Sequence, residues 1–255
     1  MRSRVLALLL VVVVLAAGCA QLVADSIESL LRQGIELFTA RKYDEAIGKF
    51  LEVVRRDPRS WNAYLYLARS YIARSSWTDA LASGRKALEL APDRGEVIPT
   101  LAQALLGAGT DALTRRQFPE AVSHFGEYVK LAPTDVQGYL GLGRAHLGTG
   151  AFTDALQALV QGLGRTPDAG ARQQILAGLL DGGRQALAAG NAGAAAQLLQ
   201  EYVRHDTGNV SAYLDLGKAY WQHGNLGSAI GAFQRVLELN PDDPEALQFL
   251  RGRRQ

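Results

Sequence analysis

Between residues 27 and 251 the apolar positions recur with a helical spacing, not an alternating one. Tyr64, Leu67, Ala68 and Tyr71 fall three or four apart, the stripe of an amphipathic helix, while Trp77, Ala80 and Ala87 mark a second stripe that stops before Pro92. The pattern then repeats. Pro58 returns as Pro92 and Ala46 as Ala80, at one and the same interval. Further on, Glu127-Tyr128-Val129 returns as Glu201-Tyr202-Val203 and Pro167 returns as Pro241, both at a second, longer interval and without a gap. A fixed period of about 34 residues marks a stacked-repeat solenoid, whose single unit cannot bury its own apolar face and leans on its neighbours. No stretch reads as a strand, so the expected class is all-α.

Aligning the periods gives units that begin near Ile27, Trp61, Gly95, Val136, Ala169 and Val210, each reading as two helices joined by a turn. The sixth carries Tyr213, Leu216, Gly217, Tyr220, Gly224, Ala229, Phe233 and Pro241. The first supplies Gly34, Leu37, Tyr43, Ala46, Phe50 and Pro58, and the fourth Tyr139, Leu142, Gly143, Gly150, Phe152, Ala155 and Pro167. Small residues such as Gly143 and Ala155 suit a close helix crossing, and a proline after a second helix ends it. This pattern resembles the tetratricopeptide repeat. The resemblance implies a right-handed superhelical solenoid of about six helix-turn-helix units over residues 27–243, with the first helices lining a concave groove. Two units are expected to carry extended helices. The interval from Pro92 to Pro133 exceeds one period by about two helical turns, and the surplus is assigned to Leu105 to Gln117. A comparable extension falls around Leu179 to Asn191 in the fifth unit, which has Thr207 in place of the closing proline and a weakly marked second helix, Ala192 to Val203. Internal duplication accounts for the longer interval, and residues 244–255 read as a C-terminal capping segment with a short helix at Glu245 to Arg251.

The start of the chain is a different object. Arg2 and Arg4 precede an unbroken apolar run from Val5 to Ala17, then Gly18-Cys19, the layout of a signal peptide over residues 1–18. The run is short for a membrane span, which needs about 20 apolar residues. Leu15-Ala16-Ala17-Gly18-Cys19 resembles the lipobox of bacterial envelope lipoproteins, although Ala16 stands where that family usually has leucine. The resemblance implies cleavage before Cys19 and lipidation of that residue, with residues 19–26 as a tether of about 25 Å at most. Ala20, where an inner-membrane lipoprotein would carry aspartate, implies an outer-membrane address facing the periplasm.

Composition narrows the rest. Cys19 is the sole cysteine, which excludes an intramolecular disulfide and a thiolate metal cluster. Loss of Arg2 and Arg4 with the signal leaves 25 basic against 25 acidic residues, so the overall balance offers no field for nucleic acid or anionic lipid. His124, His146, His205 and His223 lie on different elements without a metal-ligand spacing. Gly141-Leu142-Gly143 follows no strand and is no phosphate loop. We expect no catalytic residue, no metal and no cofactor; the chain reads as a binding protein and not as an enzyme.

The resemblance also places the binding face. Family positions that point into the groove fall on Leu65, Arg69 and Ile72; on Leu140, Arg144 and Leu147; on Leu180, Arg184 and Leu187; and on Leu214, Lys218 and Trp221. A cation flanked by apolar side chains thus recurs four times, a combination suited to partner segments that are both acidic and apolar. The asparagine places of the chaperone-gripping clamp hold Ile35 and Arg69, so that clamp is absent. The expected role is a membrane-anchored scaffold or adaptor for periplasmic partner proteins, such as one that assists assembly of a pilus secretin. The alternatives are a non-catalytic subunit of an exopolysaccharide or secretion export machine, and an adaptor of peptidoglycan hydrolases.

Overall fold

A computed structural model of the chain describes residues 26–165 and 168–251, and all regular structure among them is helical. The helices come in pairs: α1 (Ile27–Thr39) with α2 (Tyr43–Arg56), α3 (Trp61–Ala73) with α4 (Trp77–Leu90), and α5 (Val97–Thr114) with α6 (Phe118–Leu131). They continue as α7 (Val136–Thr149) with α8 (Phe152–Leu163), α9 (Ala169–Ala188) with α10 (Ala192–His205), and α11 (Val210–Gln222) with α12 (Leu226–Leu239), before a last helix α13 (Pro244–Arg251). The signal segment, Cys19, Pro167 and residues 252–255 lie outside the described residues.

The chain packs as two compact units, one through Ala104 and one from Leu105, with the division falling inside α5. In the first unit α2 packs against both α1 and α3, and α1 also touches α3. Ala46, Phe50 and Leu67 form one buried cluster there, and Leu65, Ala87 and Val97 another. In the second unit each second helix likewise packs against the first helix that follows, and α7, α9 and α11 meet in succession. One core runs through these elements, with Leu140, Leu159, Ile175, Leu179, Leu198, Leu199 and Leu216 among its buried members.

A single construction builds five of the six pairs. A small residue on the first helix faces a bulky residue at a constant offset on the second: Gly34 and Phe50, Gly109 and Phe125, Gly143 and Leu159, Gly183 and Leu199, Gly217 and Phe233. A Cβ at Gly183 would lie 2.5 Å from Leu199, so the helices approach too closely for any side chain there. The second pair departs from it, with small residues at both places. Ala68 and Gly84 hold the two places, and Leu101 of α5 lies 3.2 Å from where a Gly84 Cβ would stand. About two helical turns after each small residue the chain bends through a left-handed backbone, at Arg41, Ser75, Arg116, Gly150, Gly190 and Gly224, with φ between 55° and 83°. Each bend is closed by the amide that follows it, bonded back to the last turn of the helix, such as Lys42 N–H to the Leu37 carbonyl at 2.9 Å and Asn191 N–H to the Ala186 carbonyl at 2.8 Å.

This construction relocates the surplus length. The sequence register assigns it to Leu105–Gln117 and Leu179–Asn191, toward the turns. The first helices nevertheless continue past their small residue by nearly the same length in every pair, α5 past Gly109 and α9 past Gly183 included. The extra residues therefore lie at the N-terminal ends. From Val97 to Gly109 and from Ala169 to Gly183 the helix makes more than three turns, whereas from Ile27 to Gly34 it makes about two. The physical reason is the clamp: small residue, turn and facing bulky residue are fixed to one another, and only the segment ahead of them can lengthen.

The longer repeat interval recurs in the joints between pairs. Tyr128 donates to Asp135, the N-cap of α7, and Tyr202 bonds Asn209, the N-cap of α11, accepting from its Nδ2 at 2.8 Å. Burial, then the adjacent carboxylates Asp135 and Asp206, raise the pKa of both phenols. The loop carbonyls of Pro133 and Thr207 each accept from an arginine, Arg165 at 3.0 Å and Arg235 at 3.3 Å. These two guanidiniums stack over Tyr139 and Tyr213, 5.3 and 5.9 Å from the ring centres. The arginines stand at different repeat positions, so the same joint has been tied from two directions.

Candidate functional site: the first-helix face

The four cations singled out by the sequence stand one residue after the clamped small residue of their helices, which puts them on one equivalent face. Three of them are spent inside the protein. Arg69 Nη2 meets Glu96 at 2.8 Å, its Nε points to Thr100 Oγ1 at 3.4 Å, and its guanidinium lies over Tyr66, 5.3 Å from the ring centre. Arg184 Nε meets Asp215 at 2.8 Å while Nη2 donates to Ser211 Oγ at 3.0 Å. Lys218 pairs with Glu245 of α13 at 2.8 Å. In each case the partners belong to the start of the next helix of the same face, so the cations form rungs between consecutive helices. Arg144 is exposed and has no ion-pair or hydrogen-bond partner among the described residues. At the sequence offsets that Ser211 and Asp215 have from Arg184, α9 holds Ala171 and Ile175, which offer no carboxylate.

The apolar residues of the same set divide as well. Leu65 and Leu140 are only 1% and 2% exposed, and Leu147 is buried too, so these three belong to the core and not to a binding face. Leu147 packs where Gly182 leaves room for it. Ile72, Leu180, Leu187 and Leu214 are half-buried. Trp221 is 45% exposed and meets the edge of Phe249 with ring centres 4.9 Å apart.

Two clefts open beside these residues, one in each unit. In the first unit Arg69, Ile72 and Ala73 line a cleft of about 380 Å³ with Phe38 and Gln103. In the second, Leu180 lies in a cleft of about 440 Å³ with Gln173, Leu176 and Ala177 of α9 on one wall and Tyr202, His205 and Asp206 on the other. Of its α9 wall, Gln173 belongs to the additional N-terminal turns. The sequence reading missed the rungs and this cleft. The acid or hydroxyl that recurs at equivalent places of the following helix would have revealed the rungs, and aligning the small residues would have moved the surplus ahead of Gly183.

Of the histidines, His205 is held between Arg172 at 2.8 Å and Glu201 at 3.2 Å, and His124 lies 3.7 Å from Glu120. Among the described residues no group of three or more His, Cys, Asp or Glu has the arrangement to hold a metal ion, and no helix is long and apolar enough to cross a membrane.

Comparison with known proteins agrees with this geometry. A family described as tetratricopeptide repeat matches residues 31–94 and 106–170, just over half of the chain, and a second of the same description matches residues 186–251. Superkiller complex protein 3 of Mus musculus is 30% identical over 119 residues, 46% of this chain but 7% of that protein. The human protein of the same name is 29% identical over the same shares. The chain thus matches only a small part of the length of these relatives. Among solved structures, that of Naa15/Naa10 bound to HypK-THB aligns with 91% of this chain and 35% of its own at 17% identity and a TM-score of 0.55, a likeness of fold.

Proposed function

The chain belongs to the tetratricopeptide-repeat family, a family of protein-interaction scaffolds, and on that premise we propose that it is a lipid-anchored adaptor of the bacterial envelope. It gathers periplasmic partner proteins at the inner face of the outer membrane and performs no catalysis itself. The observation that carries the reading is the first-helix face of the second unit. Arg144, Leu180, Leu187, Leu214 and Trp221 remain accessible there, while the other cations are neutralised internally. An accessible cation among apolar side chains suits a partner segment that is acidic and apolar. Assembly of a pilus secretin is the task this reading favours, with an export machine or a peptidoglycan hydrolase as the alternative clients.

The anchor is supported by the n-region, the apolar run and Cys19 at its end. The Cys19→Ala variant is expected to move from the membrane pellet to the soluble fraction; a variant that still sediments with membranes refutes lipid anchoring. Crosslinking in intact envelopes followed by mass spectrometry identifies the client. Recovery of a secretin, an export subunit or a hydrolase decides among the three, and recovery of no protein overturns the adaptor reading.

A further inference from the structure

His205 stands in the last turn of α10 and meets the added first turns of α9, with both of its ring nitrogens committed. Arg172 Nη2 lies 2.8 Å from Nδ1, and Nε2 lies 3.2 Å from a Glu201 carboxylate oxygen. These partners dictate where the proton sits. A guanidinium only donates, so Nδ1 accepts from Arg172 through its lone pair, and an ionised carboxylate only accepts, so Nε2 carries the hydrogen. The arrangement fits a neutral ring in one tautomer.

The charges around the ring are few. Glu201 also accepts from Arg204 at 2.6 Å, and Asp206, which lines the cleft with His205, accepts from Tyr202 at 2.7 Å and from Gly208 N–H at 3.2 Å. On the α9 side Asp168 is the N-cap and accepts from the amides of Gly170 and Ala171. Among the described residues the ring has no other bonded partner, and none comes from α8 or α11. The His205 side chain is 24% exposed, so a proton can reach it from solvent. A proton on Nδ1 turns that acceptor into a donor and sets a third cation between Arg172 and Arg204. The bond to Glu201 then gains charge, while the bond to Arg172 is lost.

Little else fixes the first turns of α9. Of residues 169–174, Arg172 alone has a side-chain hydrogen bond to another helix, and Gly170, Arg172, Gln173 and Gln174 are exposed. The first fully buried side chain is Ile175, and Gly170 adds backbone freedom ahead of it. We propose that Arg172 and His205 form an acid-released latch. It holds the added turns of α9 against the end of α10 while the ring is neutral; protonation of His205 frees those turns and opens the cleft that Gln173 and His205 both line. The latch goes beyond the adaptor reading and does not rest on it.

The test uses the full chain in mild detergent and follows hydrogen exchange by mass spectrometry at about pH 8 and about pH 5, the range over which imidazole changes charge. Rates are corrected for the intrinsic effect of pH and referred to the start of α11. Residues 169–174 are expected to lose protection by about threefold or more at the lower pH, the scale of one net hydrogen bond. His205→Gln offers an amide oxygen to Arg172 and an amide hydrogen to Glu201 without titrating, so it is expected to keep protection at both pH values. Arg172→Leu is expected to lack it at both. Nitrogen NMR of the neutral imidazole is expected to show hydrogen on Nε2. Hydrogen on Nδ1, unchanged exchange in the wild type on acidification, or full protection in Arg172→Leu at the higher pH overturns the latch. So does an equal acid loss in His205→Gln, which would assign the change to Glu201, Asp206 or Asp168. None of these readings involves a client, so the latch and the adaptor proposal stand or fall separately.

Discussion

At the scale of single residues the turns are the most revealing feature. All six hairpins place a left-handed residue at the same position, yet the last three use glycine and the first three use Arg41, Ser75 and Arg116. A side chain in that conformation costs about 1–2 kcal/mol, because its Cβ crowds the following carbonyl. Arg41→Gly is therefore expected to raise stability by about 1 kcal/mol despite the greater freedom of the unfolded chain, and Gly190→Ala to lower it by about as much. Urea unfolding checks both, and a destabilised Arg41→Gly would show that the turn holds no strain. Gly150 and Gly224 were visible in the sequence as family positions, but the equivalence of Arg41, Ser75 and Arg116 to them was not, because residue type does not announce a positive φ.

At the scale of helices, much was legible. Apolar spacing and the flanking prolines place the starts of the first helices at Ile27, Trp61, Val136, Ala169 and Val210, because periodicity and helix stops are local properties. The direction in which α5 and α9 lengthen was not legible. It depends on the contact between Gly109 and Phe125 and that between Gly183 and Leu199, which only the packed pair reveals. The recurrence of the cations was legible, but their internal partners were not, since Glu96, Asp215 and Glu245 arrive from segments that follow in the chain. These rungs are largely solvated pairs and contribute modestly. In a double-mutant cycle Arg184→Ala and Asp215→Ala are expected to couple by about 0.2–1 kcal/mol, with the charge-exchanged double variant recovering part of it. A coupling of zero would mean that the cation is as available to partners as Arg144.

For the molecule as a whole, the response to alkali follows from four tyrosines. Burial is the leading cause that raises the pKa of Tyr71, Tyr128, Tyr202 and Tyr220, helped by Asp79, Asp135 and Asp206 at the first three. For a phenol whose pKa is raised on folding, the contribution to stability is complete below the unfolded value of about 10 and is lost as pH climbs from there toward the folded value. Phenolate absorbance from Tyr71, Tyr128, Tyr202 and Tyr220 is expected to develop only as helicity by circular dichroism collapses. A single smooth transition with helicity intact would contradict it. The clamp has a further consequence, for how such a chain can be altered. With the small residue, the turn and the facing bulky residue locked together, a repeat has one open end at which it accepts new material. A heptad is close to two turns, so an insertion of that length restores the facing of every side chain behind it. Protein engineers can therefore splice heptads ahead of α7 or α11, creating recesses by choice without redesigning any hairpin.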